Sequence, residues 1–225
     1  MRRLIFPAIL GIGGCAILLS LGTWQVQRLA WKEGILAEIE EKIAAAPVAL
    51  PENPTETEDE YRTVSVTGAI GGNEVLVFAP VENLGIGYRV ITTMLTGDRA
   101  ILVDLGFVEQ GSPAVQQSRM AEDVTVVGNI LWPDDVTTST PPPDPRTGVW
   151  YGRDVEGIAE LLGTDPVMVV AREISGADFA VTPVRVSTSG IKNDHLGYAV
   201  TWYLLSVVWA AMTLYMIWRQ IRRKD

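Results

Sequence analysis

Two stretches of this chain carry no charged residue. Residues 4–27 read LIFPAILGIGGCAILLSLGTWQVQ and residues 196–218 read LGYAVTWYLLSVVWAAMTLYMIW. Each is longer than the ~20 residues a helix needs to cross the hydrocarbon core of a bilayer. The pattern predicts a transmembrane helix over 4–27 and another over 196–218, with a polar segment between them. Past residue 27 apolar positions continue at helical spacing, at Leu29, Leu36, Ile39 and Ile43, among Glu33, Glu38, Glu40 and Glu41. The first helix is therefore expected to run on as an amphipathic extension over 28–46, until Pro47 stops it.

The middle segment changes period. Residues 61–67, 74–78, 88–95, 100–108 and 124–131 are rich in β-branched residues and punctuated by Gly and Pro, and 167–170 and 184–186 form shorter runs. These read as strands. Residues 154–162 suit a helix with Asp154 as N-cap. Pro51, Pro54 and the acidic run 56–60 read as a solvated linker. Successive strands with short turns predict, for 47–192, an extracytoplasmic α+β domain with an antiparallel sheet or a small barrel.

Charge sets the expected orientation. Arg2 and Arg3 lie in the short head 1–3, and Arg219, Arg222, Arg223 and Lys224 lie in the tail 219–225. Basic tails stay cytoplasmic. Residues 47–192 hold 21 Asp+Glu against 9 Lys+Arg, a balance of -12, and long domains translocate largely regardless of charge. Both termini are thus expected inside and the central domain outside. Trp24 and Trp202 fall toward the outer ends of the spans, Tyr215 and Trp218 at the inner end, where amphipathic rings anchor. Ala44-Ala45-Ala46 lies too far from the apolar run to be a signal-cleavage site. Ile12-Gly13-Gly14-Cys15 is a loose match to a lipoprotein box, but the apolar run continues past Cys15. Only three residues precede the first span, so no mitochondrial presequence is expected and a bacterial cytoplasmic membrane is the expected home.

Small residues stripe both spans, at Ala8, Gly11, Cys15 and Gly22 and at Ala199, Ser206, Ala210 and Thr213. Such stripes let membrane helices approach closely and predict either an antiparallel pair or, for one stripe, a docking face for a partner's helix. On a continuous first helix Trp24 and Arg28 share a face opposite the Ala8/Gly11/Cys15 stripe.

Composition removes most chemistry. One Cys and one His leave no disulfide framework and no Cys- or His-rich zinc site. A net charge of -9 argues against nucleic acid as a partner. No serine lies in a nucleophile-elbow context, and Gly71-Gly72 lacks the Lys and helix of a phosphate loop, so no catalytic residue is expected. His195, in Lys192-Asn193-Asp194-His195-Leu196-Gly197-Tyr198, stands just before the second span. It is either an interfacial polar residue or an axial haem ligand. Haem brings four nitrogens of its own, so one histidine suffices.

Several blocks resemble the Surfeit locus protein 1 family. They are Leu21-Gly22-Thr23-Trp24-Gln25-Val26-Gln27-Arg28 with Lys32; Tyr61-Arg62 leading to Val66-Thr67-Gly68; Gly87-Tyr88-Arg89-Val90-Ile91-Thr92; Leu102-Val103-Asp104-Leu105-Gly106-Phe107-Val108; and Asn193-Asp194-His195-Leu196-Gly197-Tyr198-Ala199-Val200-Thr201-Trp202-Tyr203. Leu105 departs from the pattern, because the family often has a basic residue before that glycine. The resemblance implies a non-enzymatic assembly factor for haem-copper cytochrome c oxidase that handles haem a as a transient cofactor. The implied partners are the oxidase's large catalytic subunit and, as donor, haem a synthase. It implies His195 as axial ligand to the haem iron, Arg28 for the propionates, and Trp24 and Tyr198 against the macrocycle. Met94, Met120 and Met168 are the candidates for a second axial ligand. The competing expectation is a haem-independent membrane scaffold that stabilises oxidase assembly intermediates.

Overall fold

A computed structural model describes residues 2–222, with side chains from residue 5 onward. Met1, Arg223, Lys224 and the side chains of Arg2 and Arg3, part of the expected basic tails, lie outside the described residues. The chain divides into two compact units, residues 1–38 with 188–225 and residues 39–187.

The first unit is built from two long helices. Helix α1 spans Arg2–Ala44 and helix α4 spans His195–Arg222. Their apolar windows have mean hydropathy of 2.1 and 1.6, long and apolar enough to cross a membrane. Large apolar side chains such as Phe6, Ile12, Leu204, Val207 and Leu214 stand exposed along them, as suits helices solvated by lipid.

The second unit is a sheet wrapped around its own core. Its strands are β1 (Val48–Ala49), β2 (Thr63–Val81), β3 (Gly85–Thr96), β4 (Arg99–Glu109), β5 (Ala121–Ile130) and β6 (Met168–Ser175). Strands β2, β3 and β4 form an antiparallel meander. Strand β5 returns to lie beside β2, giving the spatial order of a Greek key. Strand β6 then inserts between β4 and β5, which closes the ring. The sheet is mixed, not antiparallel as the short turns suggested. Strand β6 follows β5 through a connection that contains α3 (Val155–Leu162), pairs with it antiparallel and so runs parallel to β4, and the short β1 runs parallel to β2. Parallel neighbours are never joined by a tight turn, so none of the local turn signals registers them.

Two further corrections have local causes. The runs at 61–67 and 74–78 are one strand, β2. The glycines between them mark a barrel corner where β2 changes partner from β5 to β3. The run at 184–186 forms no strand, whereas the acidic stretch read as a loop contains a one-turn helix α2 (Glu56–Asp59) capped by Thr55.

Strand β4 explains why its sequence reads AILVDLGFV without alternation. Ile101 and Val103 point into the barrel with Val64, Val66, Val90 and Met94. Leu102 points the other way, under α3, with Ile91, Ile158 and Met168. A strand buried on both faces reads as a continuous apolar run. Leu105 belongs to the barrel core and is fully buried. Asp154 caps α3 by accepting from the Gly157 backbone N–H at 3.0 Å, and Gly163 ends it in the left-handed conformation.

Candidate functional site

The site that the sequence singles out lies within the helix pair. Gly11, Gly14 and Gly22 of α1 meet Thr213, Trp209 and Tyr203 of α4, with no room for a Cβ at any of the three. Trp209 Nε1 donates to the Gly11 carbonyl at 3.2 Å, and the Cys15 Sγ lies 3.8 Å from the Ser206 carbonyl. Thr23 Oγ1 and Tyr203 Oη sit 3.3 Å apart. These pairings make the helices antiparallel, with the side chains of Thr213, Trp209 and Tyr203 seated on the bare backbone of the α1 glycines. Ala8 and Ala210 fall at the margin of the contact, lining an apolar groove of about 510 Å³.

His195 is the first residue of α4 and is half-buried. Its Nδ1 lies 2.8 Å from Oε1 of Gln25, a side chain only 8% exposed. Nearby, Lys32 Nζ donates to the Lys192 carbonyl. Asn193 Oδ1 is buried without a hydrogen-bond partner, an acceptor awaiting a donor.

Trp24 and Tyr198 are exposed at 54% and 58%. Helical phase shows where they lie. Leu10 and Met216 line a common cavity on one flank of the pair. Arg28 stands about five turns beyond Leu10 on α1, and Tyr198 about five turns before Met216 on α4, so both project to that flank. Trp24 sits ~40° farther round α1 than Arg28. The contact face follows Gly11, Gly14, Cys15 and Gly22, so Arg28 lies roughly 100° round α1 from its middle and Trp24 roughly 140°, close to the opposite side. Along the axis, Tyr198 is about 4.5 Å from His195 toward the helix interior, and Arg28 about 4.5 Å beyond Gln25 in the opposite direction. The Arg28 guanidinium stacks on Trp31, 4.0 Å from the ring centroid.

The donor chemistry is narrow. Among the described residues no group of three or more His, Cys, Asp or Glu converges to hold a metal ion. One imidazole suits a metal centre whose other ligands come with it. The flank supplies the exposed ring of Tyr198 and the Arg28 guanidinium, which fits an amphipathic group bearing a carboxylate. Met94 and Met168 are fully buried in the two cores of the sheet domain, which removes both as second axial ligands; Met120 is exposed.

Sequence reasoning passed over Gln25. The only signal for it was a polar side chain in the phase of Gly11, Gly14 and Gly22. It also passed over the pairing of Arg89 with Asp104, whose Nε···Oδ2 distance of 2.6 Å joins two motifs inside the sheet domain.

Comparison with known proteins agrees with the motifs. Surfeit locus protein 1 of Rattus norvegicus is 31% identical over 91% of this chain and 72% of its own length. The Homo sapiens protein of the same name is 31% identical over 91% and 74%. A SURF1-like protein of Monosiga brevicollis is 31% identical over 91% and 83%. The SURF1 family profile matches residues 13–207, the barrel and part of each long helix, and the chain belongs to the SURF1 family.

Proposed function

We propose that this protein is an assembly factor for haem-copper cytochrome c oxidase, anchored in a bacterial cytoplasmic membrane, with haem a as its cargo. In this reading both termini are cytoplasmic and the sheet domain is periplasmic. The observation that carries it is the chain's one histidine, set by Gln25 at the start of α4, in a member of the SURF1 family.

His195 would hold the iron through a ring nitrogen. Trp24 and Tyr198 offer apolar faces to a flat ring. Arg28 offers a planar fork to a propionate, after leaving Trp31 at a cost of about 0.5–1 kcal/mol. Haem a performs no reaction here; it is received from its membrane-embedded synthase and handed to the large catalytic subunit. One protein ligand keeps the hold weak enough for transfer.

The test is the visible spectrum of the protein purified in detergent from cells making haem a, wild type beside His195→Ala. The expected result is a near-stoichiometric haem a spectrum that is lost or altered in the variant. A haem-free wild type from such cells would favour the second reading, a haem-independent scaffold for oxidase assembly. The engagement of Arg28 by Trp31 is the observation on that side.

A further inference from the structure

We infer that Gln25 is a positioning residue: its side-chain carbonyl fixes His195 in the tautomer protonated on Nδ1 and leaves Nε2 as the lone-pair nitrogen facing an incoming metal centre. The inference deepens the haem-handling reading and rests on it for the identity of that centre. Its geometric part stands alone. Gln25 Oε1 lies 2.8 Å from His195 Nδ1. A carbonyl oxygen only accepts, so the ring nitrogen donates. A neutral imidazole carries a single N–H, so Nε2 is then unprotonated.

The placement of Gln25 is what makes this a control on His195. Gln25 is 8% exposed and shares the contact phase of Gly22, where Tyr203 packs with no room for a Cβ. The amide is held by helix packing, not by a mobile loop. In metal sites the second nitrogen of a ligating histidine donates to an acceptor that sets ring orientation, tautomer and basicity. Here that acceptor is a neutral amide. It orients the ring without the added basicity a carboxylate would confer, which suits a site that must release its cargo.

The chain's one histidine makes the test direct. The full-length protein is produced with 15N-labelled histidine in cells lacking haem a and placed in nanodiscs. Long-range 15N–1H spectra of the ring are recorded where the imidazole is neutral. The wild type is expected to show a protonated Nδ1 and an unprotonated Nε2. Gln25→Met, of similar shape without an acceptor, should shift the ring toward the Nε2–H form, and Gln25→Glu should keep the Nδ1–H form. An Nε2–H ring in the wild type overturns the inference whether or not the Met variant folds, and so does an unchanged spectrum in a folded Met variant. Haem a titration forms the second arm. Gln25→Met should weaken uptake about tenfold or more, with uptake restored in Gln25→Glu. An Nδ1–H wild type that takes up no haem a would overturn the haem reading and leave the tautomer assignment supported.

Discussion

Asp104 occupies the most constrained position in the sheet domain. It is fully buried and uses both oxygens. Oδ2 accepts from Arg89 Nε at 2.6 Å and Oδ1 accepts from the Gly106 backbone N–H at 3.1 Å, with Arg153 Nη1 3.9 Å away. Asp104→Asn keeps the shape and removes the charge that Arg89 needs. It should cost about 3 kcal/mol or more, read as a lowered melting temperature, and Arg89→Met with Asp104→Leu should recover most of the loss. An Asp104→Asn protein as stable as wild type would sink this account. Burial is the largest influence on Arg153 and pulls its pKa down, but Asp135, at 2.6 Å, and Asp104 outweigh it and leave it raised, so Arg153 stays charged. Glu60 behaves oppositely. Burial first, then the neighbouring Glu56, raise its pKa above 4.5, partly countered by Lys42. A raised carboxyl pKa means the folded state binds the proton more tightly than the unfolded one. The resulting stabilisation is present at low pH and is lost as pH rises from about 4.5 through the higher folded value. Glu60→Gln should therefore melt at a higher temperature than wild type at pH 7, with the gap closing toward pH 4. A gap that widens on acidification would contradict the assignment.

At the scale of elements, the helix pair and the barrel were unequally legible in the sequence. The long helices follow from uncharged runs and a 3.6-residue period, both local properties. The mixed sheet does not, because the parallel β4–β6 pairing joins segments some sixty positions apart through α3. Glycines mislead for a related reason. Gly68 was read as the end of a strand, yet it lies inside β2 where a Cβ would strike the Leu95 carbonyl. The site was half legible: the motif marked His195, but nothing in the sequence paired it with Gln25 across 170 positions. The packing of α1 on α4 has its own test, built on the chain's one cysteine. Cys15 faces Ser206, so Ser206→Cys should form an intramolecular disulfide under mild oxidation. After cleavage in the exposed 137–147 loop, the two halves should stay joined on a non-reducing gel. Adding Gly14→Leu should sharply lower the crosslinked yield, because Trp209 already occupies the space beside Gly14. Equal yields with and without that substitution would argue against this packing.

At the scale of the whole molecule, charge divides the chain into an acidic middle and basic ends. Residues 47–192 carry -12, whereas the last seven residues hold Arg219, Arg222, Arg223 and Lys224 against Asp225. Cationic side chains next to a span resist translocation, and acidic ones contribute little. The second span is the better determinant of orientation, because its tail carries four cations and the head before the first carries two. The haem-handling reading depends on the result, since His195 begins α4 at the end away from that basic tail. Alkaline phosphatase, which folds to an active form only outside the cytoplasm, reports the outcome. Inserted at the exposed turn around Gly111 it should be active, and fused after Asp225 it should be inactive. Replacing the four tail cations with Gln should lower the first activity and raise the second as a fraction of chains inverts. Activity at the C-terminus of the unaltered chain would place His195 on the cytoplasmic side, and the proposed transfer across the outer face of the membrane would then have to be abandoned.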